Sequence, residues 1–212
     1  MRALVVYCHP SPSSFTAAVR DVAIARLEAS GAEIRLIDIY GRGFQPVLSP
    51  EEWDGYLECP ANLAPVRQDV EDLRWCDTLV FIYPTWWYGL PAALKGWLDR
   101  VLLPDVAFHM PTEPNGNIRR GLTQIRRLGV FTTCGATWWL TRLVGAPGKR
   151  TLLRGVGFMC AKPLRTAFAA HYAMDSSTPE SRAAHLARVA RQVDRLTGRR
   201  RPQMAALSER TA

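Results

Sequence analysis

Trp86, Trp87 and Tyr88 stand consecutively between Thr85 and Gly89, and three aromatics in a row on one short loop cannot all be drawn into a core. At least one is expected to cover a flat partner, with packing against a neighbouring loop or a second subunit as the alternative. Two other stretches carry polar groups in a useful pattern. His9, Ser11, Ser13, Ser14 and Thr16 lead into a segment of helical periodicity, so hydroxyls and unpaired helix amides together make an anion site. A plain serine cap explains the same residues. TTCGAT, residues 132–137, puts small residues where backbone amides can stabilise developing negative charge, or simply make a tight turn. Cys134 within it suggests a thiol nucleophile, but no histidine lies near in sequence to activate it. Neither a G-x-G-x-x-G pattern nor a P-loop accompanies these stretches.

The elements that must position these loops alternate strand with helix. Residues 3–7 read as a strand, and Ser14 caps a helix whose Phe15, Ala18, Val19, Val22, Ala23 and Leu27 share a face, with Gly31 at its end. Residues 33–39 alternate charged with apolar and give a second strand; residues 41–62, rich in Gly, Pro and Ser, form an irregular excursion. Val66, Val70 and Leu73 mark a second helix ahead of a buried strand over residues 78–83, which Pro84 is expected to stop. Pro91 suits the first turn of a helix with Leu94, Trp97, Leu98, Val101 and Leu102 on one stripe. After a loop over 103–121 come a fourth strand over 127–131, a helix over 140–153, a fifth strand over 157–161, and a last helix opened by Thr178, Pro179 and Glu180. Such alternation requires a parallel sheet. Five strands predict a flavodoxin-like α/β three-layer sandwich, a five-stranded parallel sheet with helices on both faces, whose strand order one sequence does not give.

The totals are those of an ordinary globular protein: 212 residues, 48% hydrophobic and 22% charged. Five scattered cysteines with no C-x-x-C pair point to a reducing cytoplasm, and four histidines without ligand spacing argue against a metal. The stretch 78–98 has only Lys95 as a charge, but Pro84, Gly89 and Pro91 divide it too finely for a membrane span, and no signal peptide precedes it. Net charge is +8, which suits nucleic acid, anionic lipid or a phosphorylated cofactor. No nucleic-acid motif accompanies the charge, so a solvated basic face is the simpler reading, and the sign is wrong for an acidic electron carrier. Residues 1–198 are expected to form a single domain and 199–212 a basic, loosely ordered tail.

Taken together, ALVVYCHPSPSSFT, IDIYGRGFQPVLS, DVEDLRWCDTLVFIYPTWWYGLPAALKGWLDRV and FTTCGA resemble the NAD(P)H:quinone oxidoreductase (DT-diaphorase-like) branch of the flavodoxin-like superfamily, over roughly residues 1–140. The third stretch is long and specific, and the others support it. The resemblance implies a bound flavin, FAD or FMN, and transfer of hydride from NAD(P)H as co-substrate through that flavin to a quinone-like acceptor. Carried over by position, His9, Ser13, Phe15 and Thr16 would surround the cofactor phosphate. Pro84, Thr85, Trp86, Trp87 and Tyr88 would line the isoalloxazine through backbone amides and ring edges, and Thr132, Thr133 and Gly135 would meet its pyrimidine side. A homodimer is implied as well, with the partner completing each site through the 41–62 and 103–121 loops.

One departure bears on mechanism. The family pattern places a Tyr and a His shortly after the Thr-Thr-Gly-Gly loop, and here that region reads TTCGATWWLTRLVG, with neither. No catalytic residue is therefore assigned. Trp138 and Trp139 are candidates to wall an acceptor pocket, or are ordinary helix packing. The alternative reading is a flavin-containing regulatory subunit of a membrane ion-efflux system, motivated by the basic surface and compatible with peripheral membrane association.

Overall fold

The computed structural model describes residues 1–113 and 115–199. In chain order it contains β1 (Arg2–Tyr7), α1 (Phe15–Glu28), β2 (Glu33–Asp38), α2 (Pro50–Asp54), α3 (Arg67–Trp75), β3 (Thr78–Thr85) and α4 (Ala92–Val101). A small hairpin of β4 (Phe108–His109) and β5 (Arg119–Arg120) follows, then β6 (Arg127–Cys134), α5 (Trp138–Leu143), α6 (Pro147–Arg150), α7 (Gly157–Met159), β7 (Arg165–His171) and α8 (Pro179–Thr197). Five strands form one parallel sheet in the order β2-β1-β3-β6-β7. The expected tail beyond Arg199 lies outside the described residues.

Period-two alternation divides the sheet's side chains between two cores. Ala3, Val5, Val80, Ile82, Phe131, Ala167 and Ala169 face α1 and α8, where Val19, Ala23, Leu27, Val189, Val193 and Leu196 are buried. Leu4, Val6, Leu79, Phe81, Leu128 and Val130 point the other way, against α3 and α4 with Val70, Leu73, Leu94, Trp97 and Val101. Helices therefore cover both faces, and the strands can be apolar throughout. Ser14 caps α1 by accepting from the Ala17 amide at 3.1 Å, and Thr178 caps α8 through a reciprocal box with Ser181.

Five expectations need correction. The fifth strand is Arg165–His171, whereas Gly157–Met159 is helical. Its Ala167, Ala169 and Ala170 have weak strand propensity; the small size of Ala167 and Ala169 admits the side chains of α8, and packing decides. Pro84 does not stop β3, which continues to Thr85. β1 pairs with β3 only as far as Ile82, so the missing N–H of Pro84 falls on the open side and removes no ladder bond. β6 likewise runs past Phe131 to Cys134, held between β3 and β7. The helix expected over 140–153 is broken at Gly145 and Ala146, both at positive φ, into α5, α6 and a π-helical turn at Thr151–Val156. The 41–62 excursion is not wholly irregular either: Ser49 and Glu52 form a capping box that starts α2.

That excursion is seated on α4. A β-carbon at Gly96 would come within 2.1 Å of the Pro46 carbonyl oxygen, so only glycine admits this approach. Arg100 fixes the same contact by donating from Nε to Glu52 Oε1 at 3.0 Å. The consequence for function is that the helix after the aromatic loop is held from outside as well as from the sheet.

Candidate functional site

Successive strands are added outward from β1 in opposite directions, to β2 on one side and to β3, β6 and β7 on the other, so the β1–β3 boundary is the topological switch point. There the loops after β1, β3, β6 and β7 surround a cleft of about 900 Å³. His9, Phe15, Thr16, Pro84, Thr85, Trp86, Trp87, Tyr88, Thr133 and Gly135 all line it, which unites the three segments singled out in the sequence. Ser13 and Thr132 do not. Ser13 is exposed, and Ser14 takes its place in the wall; Thr132 is buried one residue behind the lining and donates or accepts at 2.8 Å with Thr85.

Hydroxyl ties hold the loops in register. Thr16 Oγ1 and Thr133 Oγ1 lie 3.0 Å apart and both residues are buried, so the helix start after β1 is fastened to the end of β6. The Ala173 amide donates to the Ala136 carbonyl at 3.1 Å and fastens the loop after β7 to the same wall. At the β1 end, His9 Nδ1 lies 3.0 Å from the Ser11 amide and 3.1 Å from the Ser11 carbonyl, so the ring is oriented through that nitrogen, while Nε2 has no protein partner among the described residues. Burial lowers the pKa of His9, favouring the neutral ring. The first two amides of α1, of Phe15 and Thr16, have no protein partner among the described residues. The His9 imidazole and the positive end of a 14-residue helix thus converge on one corner, as an anion requires.

The aromatic loop is a two-residue turn in an unusual conformation. Trp86 and Gly89 pair in a short antiparallel bridge, with the Gly89 amide donating to the Trp86 carbonyl at 3.0 Å. Trp87 and Tyr88 between them have φ of 48° and 62°. Positive φ at both central positions defines a type I′ turn, which strongly favours Asn-Gly. Two bulky aromatics there store strain, and strain of this kind concentrates at ligand clamps. The Trp87 ring is 95% exposed, so core packing does not explain its presence.

Several lining residues escaped sequence reasoning. Met174 and Asp175 come from the loop after β7, and Asp175 is the one carboxylate in the wall among the described residues. Its Oδ2 lies 3.3 Å from where a β-carbon of Gly135 would stand, so Gly135 leaves room for that acid. Cys134 lines the cleft but is buried, its Sγ 3.7 Å from Thr141 Oγ1 and without a base, which gives no support to a thiol nucleophile. Trp138 and Trp139 are exposed on α5 and do not line this cleft.

The dimensions and donors suit a flavin: a site of this volume is of ligand size, and an anion corner, a threonine wall tied to it through Thr16 and Thr133, and an aromatic turn all border it.

Residues 1–193 match the model of the Flavodoxin-like fold family. The human ribosyldihydronicotinamide dehydrogenase [quinone] is 27% identical over 163 residues, which cover 69% of each chain. The structure of an NAD(P)H:quinone oxidoreductase from Methanothermobacter marburgensis superposes with a TM-score of 0.75 at 26% identity, covering 91% of this chain and 95% of that one. An FMN-dependent NADH-azoreductase from Bacillus anthracis, solved in complex with FMN, shares the fold with a TM-score of 0.69 at 16% identity, covering 93% of this chain and 100% of that one.

Proposed function

Because the chain belongs to the Flavodoxin-like fold family, we propose that it is a flavin-dependent NAD(P)H oxidoreductase with a quinone-like acceptor. The observation that carries this reading is the meeting of the anion corner, the strained aromatic turn and the threonine wall around one cleft. The relatives named for quinone reduction support it. A bound flavin supplies the two-electron chemistry, accepting hydride from the nicotinamide and yielding it to the acceptor. The protein's share is binding, orientation and exclusion of water.

In this reading His9 Nε2 and the amides of Phe15 and Thr16 hold the cofactor phosphate. Trp86, Trp87 and Tyr88 supply a wall for the ring system, and the Thr133–Gly135 backbone faces its polar edge, where amides favour negative charge. Asp175, beside Gly135, is the carboxyl group nearest that edge and the candidate to hold a proton. A homodimer follows from the same reading. Trp139 and Leu143 on α5, with Val144 just after it, expose apolar surface beside the site, an area a partner subunit would cover. Five free cysteines, four of them buried, fit a reducing cytoplasm. Among the described residues no helix is long and apolar enough to cross a membrane.

Purified protein should be yellow, and mass analysis of the released flavin decides between FMN and FAD. NAD(P)H and quinone sharing one cleft should give parallel double-reciprocal plots. Colourless protein that takes up neither flavin would overturn the proposal.

A further inference from the structure

Beside the cleft, on the far side of α5, lies a second cavity of about 520 Å³ that the flavin reading leaves without a task. Arg142, Lys149, Arg150 and Arg154 line it, and among the described residues no carboxylate does. None of the four forms an ion pair among the described residues. Arg142 lies over Trp138 and Lys149 over Phe168, at 5.7 and 4.4 Å from the ring centroids. The guanidinium of Arg150 packs over Gly145, where a β-carbon would stand 3.2 Å from Nη1. Convergent cations without counter-charge repel one another, and a bound dianion offsets that repulsion. Guanidinium forks match phosphate oxygens two at a time. Trp138 and Tyr172 complete the walls with flat surface suited to a base.

The cavity adjoins the cleft, with a nearly closed crevice between them. Tyr88 and Cys134 line the cleft, Thr141 and Tyr172 line the cavity, and all four line one narrow crevice between them. We propose that this pocket binds the 2′-phosphate of NADPH, so that the enzyme selects NADPH over NADH. The inference rests on the NAD(P)H reading above and adds the choice of nucleotide to it.

Calorimetric titration of the flavin-loaded protein with 2′,5′-ADP and with 5′-AMP tests the pocket without turnover. The 2′-phosphate should tighten binding roughly tenfold or more, the weight of one charge-assisted hydrogen bond. Arg150→Ala with Arg154→Ala should abolish the difference and raise the KM for NADPH by a similar factor, leaving that for NADH unchanged. Both arginines are exposed, so the variant should fold normally. Arg120→Ala, in the separate basic cavity that also holds Arg126 and Arg165, should move neither quantity. Equal binding of the two nucleotides would overturn the proposal. So would inorganic phosphate binding as tightly as 2′,5′-ADP, or 2′,5′-ADP binding without competing with NADPH. If neither nicotinamide reduces the flavin, the oxidoreductase reading falls by itself, and a preference for 2′,5′-ADP would still uphold the pocket as a 2′-phosphate site.

Discussion

Replacing Trp87 by glycine and by alanine separates strain from contact in the aromatic turn. Trp87 sits at φ 48° and its ring is 95% exposed, so removing the ring forfeits almost no buried surface. Left-handed backbone is disfavoured by about 1–2 kcal/mol for a residue with a β-carbon. Alanine keeps that penalty and glycine abolishes it, while the extra freedom of glycine in the unfolded chain costs roughly 0.5–1 kcal/mol. The net advantage of Trp87→Gly over Trp87→Ala is therefore about 1 kcal/mol or slightly less. For a chain of this length it corresponds to a melting temperature higher by about 2–4 °C. The measurement is made on flavin-free protein, because bound ligand would add its own stabilisation. Flavin affinity, titrated separately, should fall in both variants and by the same factor. If glycine melts no higher than alanine, the turn is not under tension. If flavin affinity is unchanged in both, Trp87 is not part of the site.

Other substitutions probe the scaffold. Gly96→Ala should destabilise by roughly 2–3 kcal/mol despite alanine's better helix propensity, because its β-carbon meets Pro46 backbone at 2.1 Å; an unchanged melting temperature would refute the packing described. Thr133→Val leaves the buried Thr16 hydroxyl without its 3.0 Å partner and should cost about 1–2 kcal/mol, whereas adding Thr16→Val should recover part of that loss; denaturant titration of the single and double variants decides. His185 is 2% exposed, and burial, then His171 and Arg188, pulls its pKa down to about 4. His171 in turn faces Arg182, Arg188 and Ser181 and is lowered by burial as well. The unfolded imidazole of residue 185 protonates near 6.5, so its contribution is complete above that pH and is lost as pH falls from 6.5 towards about 4. The loss should reach roughly 3 kcal/mol, and His185→Phe should flatten the pH–stability curve over that interval. An unaltered curve would count against a buried neutral ring.

Local physics wrote some elements plainly into the sequence and left others unmarked. α1, α4 and α8 were legible because a cap or an N-terminal proline coincides with an apolar stripe, two signals that agree. β7 was not, because its inward residues are alanines, whose place in a strand depends on the helix above them and not on their own preference. That single error hid Asp175 and Tyr172, which both follow β7. Pro84 misled for a related reason: whether a proline ends a strand depends on which neighbour flanks it, and strand order is not a local property. The three loops of the cleft were legible as compositions. Their convergence was not, since it follows from the switch between β1 and β3.

The site divides its demands between rigid and tense parts. β3 and β6 extend as strands up to Thr85 and Cys134, so the cleft wall is sheet rather than loop. Hydroxyl pairs at Thr16–Thr133 and Thr85–Thr132 then fasten that wall across two gaps between elements. A wall fixed in this way can oppose the left-handed Trp87–Tyr88 turn without yielding, which is the condition for strain to persist in a folded protein. The same rigidity leaves adaptability to the exposed surface of α5 and α6, where Trp138, Arg142 and Arg150 are free to answer different nucleotides. Selectivity among co-substrates is thus separated in space from retention of the flavin. A substitution of Arg142 on α5 or Arg150 on α6 should change which nucleotide is used without changing the flavin, whereas one in the threonine wall should disturb both.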